Sequence, residues 1–305
     1  MRNIVKEPKV TWIDIRNPTE IDIQYLRKKF NFHPLVLEEI ITPSAHRPKV
    51  EHYDNYLFLV IYYPIHSREK RETRPRKLSI FVTKNTVITG HYQSILPLKN
   101  LLDICTRLSK ARKKYMGTGG SGQLLFHILN RLWKGCLIKL ERIDIRLDKI
   151  EEEIFKGKER AMVLEISLVK TDIINFWRII EPQQKILESL EKTGVDFFGE
   201  SLAPYFSDLL DTYHQARNSL QRYKETILAL EATNQSLLST KINEVIRILT
   251  VFSVILLPLT LIASIWGMNV PLPFAQSPYG FWILTGLMVL LIGFLIYFFH
   301  KKEWL

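Results

Sequence analysis

Cysteine is scarce in this chain. Only Cys105 and Cys136 occur, and neither has a second Cys or a His at metal-ligand spacing. This excludes a disulfide framework and a thiolate metal centre, and points to a reducing compartment. The opening MRNIVKEPKV holds no apolar core of a secretory signal. His33, His46, His52, His66, His91, His127, His214 and His300 are scattered, so no nucleophile–base or metal-ligand spacing emerges to suggest an enzyme. The net charge is +11. The aromatics do not interleave with the basic residues as base-stacking platforms do, which argues against a nucleic-acid partner. The glycine-rich MGTGGSG, 116–122, lacks the Lys-Ser/Thr of a P-loop. It reads as a hinge, with Ser121 capping the helix that follows.

The largest absence is of charge. No Asp, Glu, Lys or Arg occurs between Ile248 and Phe299. That stretch is too long for a buried core helix. It divides at a proline-bearing segment into ILTVFSVILLPLTLIASIW, 248–266, and FWILTGLMVLLIGFLIYFF, 281–299. Each is close to the roughly 20 residues that cross a bilayer. Tyr279, Trp282, Tyr297 and Trp304 mark interfaces. Lys241 and Arg247 precede the first span, Lys301 and Lys302 follow the second, and the loop between carries no charge. By the positive-inside rule both termini are cytoplasmic and the loop is outside, in a multi-pass protein of the cell membrane.

What is present before the spans is mixed. VTWIDI, YLFLVIYY, LSIFVT and TVITGHY read as strands, and TEIDIQYLRKKF and HPLVLEEI as helices between them. The fold class is thus an α+β cytosolic part, with an α/β domain over 1–115, a helical stalk, and two transmembrane helices. A helical hairpin occupies 116–203. In it Leu140, Ile143, Leu147, Ile150 and Ile154 form an apolar seam at spacings of three and four. Gly157 turns the chain and Pro182 interrupts the second helix. From 204 helical sequence runs without a stop to 266, roughly 95 Å at 1.5 Å per residue. Its last part, 248–266, is the first span. The loop 267–280, the second span 281–299 and a basic tail 300–305 complete the chain.

On the long helix Asn243, Ile246, Thr250, Ser253, Leu257, Thr260 and Ser264 step by three or four, forming one small, mostly hydroxylated stripe. Hydroxyls of this kind commonly bond their own helix or glue helices together. Two spans cannot enclose a water path alone. If the stripe lines one, several copies assemble with first spans inside. Such a path has neutral oxygens and no fixed charge, which suits a cation held through its water shell, and Mg²⁺ gives up its waters reluctantly. Gly267 then lets the chain leave the helix, by a positive φ that a Cβ would penalise. Asn269 offers its amide oxygen at the mouth.

With Trp266-Gly267-Met268-Asn269 at the end of the first of two C-terminal spans, the chain resembles the CorA family of divalent-cation transporters. KINEVIRILTVFSVILLPLTLIASIWGMN is similar to the family's pore helix, KKEWL to its basic tail, and WIDIRNPT, HPLVLEEI and HRPKVEHYDNYLFLV to its N-terminal domain. The resemblance implies a homopentamer with a funnel-shaped cytosolic part, which takes up Mg²⁺, with Co²⁺ or Ni²⁺ as further cargo. No cofactor is implied beyond Mg²⁺ as cargo and regulator. It implies Gly267, Met268 and Asn269 as the selectivity element at the outer mouth, and Asn243, Ile246, Leu249, Leu257, Thr260 and Ser264 along the pore. Ile246 and Leu249 become a hydrophobic gate, and the family uses Leu249 where the periodicity chooses Thr250. The family's cytosolic Mg²⁺ sensor pairs an acid on the long helix with an acid of a neighbouring subunit. Asp208, with Asp211 nearby, matches the first. The stretch where the second is sought, TRPRKLSIF, is basic through Arg74, Arg76 and Lys77, so an Arg–Asp208 salt bridge there replaces the metal. The extracellular loop also lacks the acids common in the family. The alternatives are a zinc transporter of the same superfamily and a membrane-anchored helical scaffold. No Cys or His lies between Lys241 and Phe299 to favour zinc.

Overall fold

The computed structural model describes the whole chain except residues 1, 43–46, 68–71, 118, 269–278, 303 and 305. It divides into two compact units, Met1–Glu231 and Ala232–Leu305.

The first unit is built on a six-stranded sheet: β1 (Arg2–Glu7), β2 (Val10–Arg16), β3 (Lys49–Tyr53), β4 (Tyr56–Ser67), β5 (Glu72–Thr83) and β6 (Thr86–His91), in the order β1-β2-β6-β5-β4-β3. Only β2 and β6 pair in parallel, with Ile13 opposite Ile88. A parallel pair needs a long connection between its strands, and everything from α1 to β5 supplies it. Helices α1 (Glu20–Phe30) and α2 (Pro34–Ile41) lie in this connection. Pro34 opens α2, where its missing N–H is no loss. Val36, Leu37 and Ile40 pack against Phe58, Val60, Phe81 and Ile88 of the sheet. Gly90 on β6 lets α2 come this close, because a Cβ there would sit 2.4 Å from Cδ1 of Ile40.

Two short helices follow, α3 (Leu96–Arg107) and α4 (Ser109–Met116), and then α5 (Gly120–Phe155) and α6 (Glu159–Ile180). Helix α5 carries the apolar seam read from its sequence, and Leu140, Ile143, Leu147, Ile150 and Ile154 are all buried. Gly157, at φ 83°, turns the chain between α5 and α6. Ser121 does not cap α5. The helix opens two residues earlier than that cap requires, with Gly119 as its N-cap, and the Ser121 hydroxyl donates to the Lys84 carbonyl at 2.9 Å. Pro182 falls in a single 3₁₀ turn that separates α6 from α7 (Gln184–Phe198). Gly199, at φ 100°, ends α7, and α8 runs from Ala203 to Trp266. In the first unit α8 buries Phe206, Leu209, Tyr213, Ala216 and Leu220. Tyr213 meets Trp133 of α5 edge to face at 5.0 Å.

The second unit holds the rest of α8 and α9 (Gly280–Lys301). Both are long and apolar enough to cross a membrane. Their covered positions follow helical spacing. On α8 Val251, Ile255, Leu259, Ile262 and Trp266 do so, with Thr250 and Pro258 also half-covered, and on α9 Leu284, Met288, Leu291, Leu295 and Phe299, with Gly280, Thr285 and Ile292 also covered. One covered stripe on each is the pattern of two helices packed together, with the remaining apolar surface left outside.

Candidate functional site

The side chains singled out on α8 lie away from its covered stripe. Asn243, Ile246, Leu249, Leu257, Thr260 and Ser264 are all exposed. At 100° per residue their mean direction is about 180° from that of Val251, Ile255, Leu259, Ile262 and Trp266. Leu249 and Thr250 do not separate by direction, since both lie more than about 100° from the covered stripe, but they differ in exposure. Leu249 is 65% exposed, whereas Thr250 is half-covered and adjoins Val251, at 3%. Ser253, which the spacing included, is exposed.

The hydroxyls of the stripe are not idle. Thr250 donates to the Ile246 carbonyl at 2.8 Å, and Ser253 to that of Leu249 at 2.9 Å. Thr260 lies 3.1 Å from the Leu256 carbonyl and 2.9 Å from that of Leu257. Thr285, on α9, likewise donates to Phe281 at 2.9 Å. A hydroxyl has one proton and two acceptor lone pairs. Once the proton is spent on the helix, only the lone pairs face outward. The exposed stripe is therefore an acceptor surface, uncharged and with no side-chain donor at Ser253 or Thr260.

At the end of α8 the helical ladder continues into the signature. The Gly267 amide donates to Ala263 at 2.9 Å, and that of Met268 to Ile265 at 3.2 Å. The expectation that Gly267 leaves the helix by a positive φ fails. The positive-φ glycines among the described residues are Gly120, Gly157 and Gly199. Gly267 follows Trp266, the last residue of α8, and its amide closes the final turn onto Ala263, so the chain leaves the helix here without a positive φ. A Cβ there would meet nothing nearer than the Ala263 carbonyl oxygen, at 3.3 Å. Gly267 and Met268 are exposed. Asn269 lies outside the described residues.

In the first unit Asp208 and Asp211 are one helical turn apart and exposed on α8. Asn130 of α5 approaches the Asp208 carboxylate at 3.5 Å. The three basic residues of β5 differ from one another. Arg74 pairs with Glu72 at 2.7 Å. Lys77 donates to the Glu39 and Thr42 carbonyls at the end of α2, and burial holds its pKa below the usual lysine range. The Nε of Arg76 is buried and has no partner among the described residues. Burial, and then the charge of Arg74, lower its pKa. No cluster of three or more His, Cys, Asp or Glu that could hold a metal occurs among the described residues.

The family model for the CorA-like Mg²⁺ transporter protein matches residues 7–301. The chain belongs to this family. It is 28% identical over 297 residues to the cobalt/magnesium transport protein CorA of Thermotoga maritima, covering 97% of this chain and 83% of that protein. It is 24% identical over 298 residues to the protein of the same description in Methanocaldococcus jannaschii, covering 97% and 92%. The complete structure of the M. jannaschii CorA magnesium transporter superposes with a TM-score of 0.85 at 24% identity, over 98% of this chain and 93% of that one. At that identity the superposition shows the fold: a mixed-sheet domain, long helices and two C-terminal apolar helices. Family and apolar helices together make the chain a membrane protein.

Proposed function

We propose that this CorA family member carries divalent cations across a membrane, Mg²⁺ foremost and Co²⁺ or Ni²⁺ as further cargo, through a pore shared by several copies. The observation that carries the reading is the acceptor stripe of α8. A hydrated cation presents water protons outward, and Ser253 and Thr260 present lone pairs to receive them. Mg²⁺ dehydrates reluctantly, so a wall that accepts from its shell suits it better than a cage of charged ligands. With no acid in the outer loop, attraction rests on the Asn269 amide oxygens and on the membrane potential. That potential supplies about 5 kcal/mol per 100 mV for a doubly charged ion. Zinc is less suited, because its preferred Cys and His ligands are absent from this stretch.

In this reading the copies place α8 inside and α9 toward lipid, five to a ring by family resemblance. Both termini are cytoplasmic. Residues 1–115 form the α/β domain, 116–203 the stalk hairpin, 204–266 the stalk and pore helix, 267–280 the outer loop and 281–305 the second span and tail. Ile246 and Leu249 form the gate, a ring that closes by expelling water. Arg74 and Lys77 are engaged within their own chain, which leaves Arg76 as the basic partner for Asp208 of a neighbouring copy. Ion-free closure at that contact follows.

The test is flux into proteoliposomes, comparing Mg²⁺, Co²⁺, Ni²⁺ and Zn²⁺ with the wild type and Asn269→Ala. Mg²⁺ uptake abolished by the variant, with assembly and insertion intact, is the expected result. A membrane-anchored scaffold predicts no flux from either protein.

A further inference from the structure

The first unit contains a cavity of about 590 Å³ that the transport reading does not use. It lies among β4, α3, α5 and α6, and its volume is that of an ordinary small-molecule site. One side is a ladder of cations on a single face of α5: Arg131, Lys134, Lys139, Arg142 and Arg146. Lys134 and Arg142 are exposed and have no acidic partner among the described residues. Ile65, Leu96, Ile138 and Phe176 supply apolar wall.

Two buried polar atoms among the lining residues are unsatisfied. The Tyr63 hydroxyl has no hydrogen-bond partner among the described residues, although the side chain is only 3% exposed. Oδ1 of Asp172 is equally without one, while its Oδ2 lies 3.4 Å from Nδ1 of His66 and 3.6 Å from Nη1 of Arg146. An orphaned buried hydroxyl is costly, and a fold tolerates one mainly where something else completes it. The helix also gives way to it. Gly135 interrupts α5 with the least helix-favouring residue after proline. A Cβ at that position would lie 2.5 Å from the Tyr63 hydroxyl and 2.9 Å from Cγ of Pro97. Burial raises the Tyr63 pKa far above the ordinary value, so the hydroxyl stays a donor. Lys139 stands 4.1 Å from the Tyr63 ring centroid and donates to the Pro64 carbonyl.

We propose that this cavity binds a nucleotide, with its phosphate on Lys134, Lys139, Arg142 and the Tyr63 hydroxyl, its flat base against the apolar wall, and an amino or sugar hydroxyl donating to Asp172. Each part of the ligand answers a separate feature. An inorganic anion leaves the apolar wall and the Asp172 acceptor unused. Phosphatidic acid has no amino group or sugar hydroxyl for Asp172. The burial that depresses Lys139 toward about 8 is relieved when a phosphate sits beside it.

The experiment is calorimetric titration of the full-length protein in nanodiscs with AMP, ATP, inorganic phosphate and short-chain phosphatidic acid, without added divalent ions. Saturable binding of AMP or ATP is expected, with inorganic phosphate at least about tenfold weaker. Lys134→Glu with Arg142→Glu, both at exposed positions, should weaken the nucleotide by about tenfold or more. Tyr63→Phe should weaken it several-fold without lowering the thermal midpoint of the ligand-free protein, because the hydroxyl has no partner to lose and its removal relieves an unsatisfied buried group. The proposal is overturned by absence of saturable nucleotide binding, by an affinity that the double charge reversal does not move, or by phosphatidic acid binding more tightly than either nucleotide. The readout is binding rather than flux, so its failure leaves the transport reading where it stood.

Discussion

Lys139→Met should make the ligand-free protein more stable at neutral pH. Burial lowers the Lys139 pKa to about 8 from 10.5, against smaller opposing effects of Cys136 and Asp172. At about 1.4 kcal/mol per pH unit, holding the charged ammonium in the fold costs about 3 kcal/mol below pH 8. Removing it recovers that amount, less about 1 kcal/mol because the Pro64 carbonyl loses a donor. Pro75, which stands opposite Pro64 across β4 and β5, has no N–H to replace it. The net gain is about 2 kcal/mol, or about 4–8 °C in thermal midpoint for a unit of this size. The pH dependence gives the sharper check. A lysine whose folded pKa lies below its unfolded value binds fewer protons folded than unfolded between the two, so wild-type stability rises with pH from about 8 to 10.5. The advantage of the methionine variant should shrink over that window and vanish above it. The assay is thermal unfolding of both proteins at pH 7, 8, 9 and 10. A variant no more stable than wild type at pH 7, or a difference constant with pH, refutes the account of a buried, costly ammonium.

Leu249→Asn should raise Mg²⁺ uptake and reduce its dependence on internal Mg²⁺, because a polar ring stays wet. Unchanged uptake moves the gate to another turn. Asp208→Ala should leave inhibition by internal Mg²⁺ nearly unchanged if Arg76 already serves as its partner, and a marked loss of inhibition shows that the acid senses metal after all. Cysteine placed at Gln276 should be labelled from outside intact cells and cysteine at Lys302 should not, the reverse pattern overturning the topology.

The strands and spans were legible where one physical signal dominated. VTWIDI and YLFLVIYY are runs of β-branched and aromatic residues, and β2 and β4 contain them. The start of β5 was not legible. ETRPRK is charged and contains a proline, yet it pairs residue for residue with β4 from Ser67↔Glu72 to Tyr62↔Lys77. Tertiary pairing overrides local preference there. RNIVKE, the edge strand β1, is polar at four of its six positions and equally silent, and α3 and α4 were not anticipated. On α8 periodicity identified a stripe but could not choose between Leu249 and Thr250. Exposure distinguishes the two. Gly267 misled for a different reason: glycine permits a positive φ without requiring one. Gly135 was the one available signal of the cavity, a glycine inside an otherwise unbroken helical pattern.

Pro258 lies inside α8 without ending it. A proline has no amide proton, so the Val254 carbonyl is denied the donor that position 258 supplies in an ordinary helix. The ladder of α8 thus has one rung missing within the apolar span, beside Leu257 and two residues before Thr260. Bending there breaks no further hydrogen bond, whereas bending elsewhere breaks at least one. The helix has its softest point among the residues that line the proposed path, and a small change of direction at that turn swings Thr260 and Ser264, together with Leu259, Ile262 and Trp266 of the covered stripe, relative to Ile246 and Leu249.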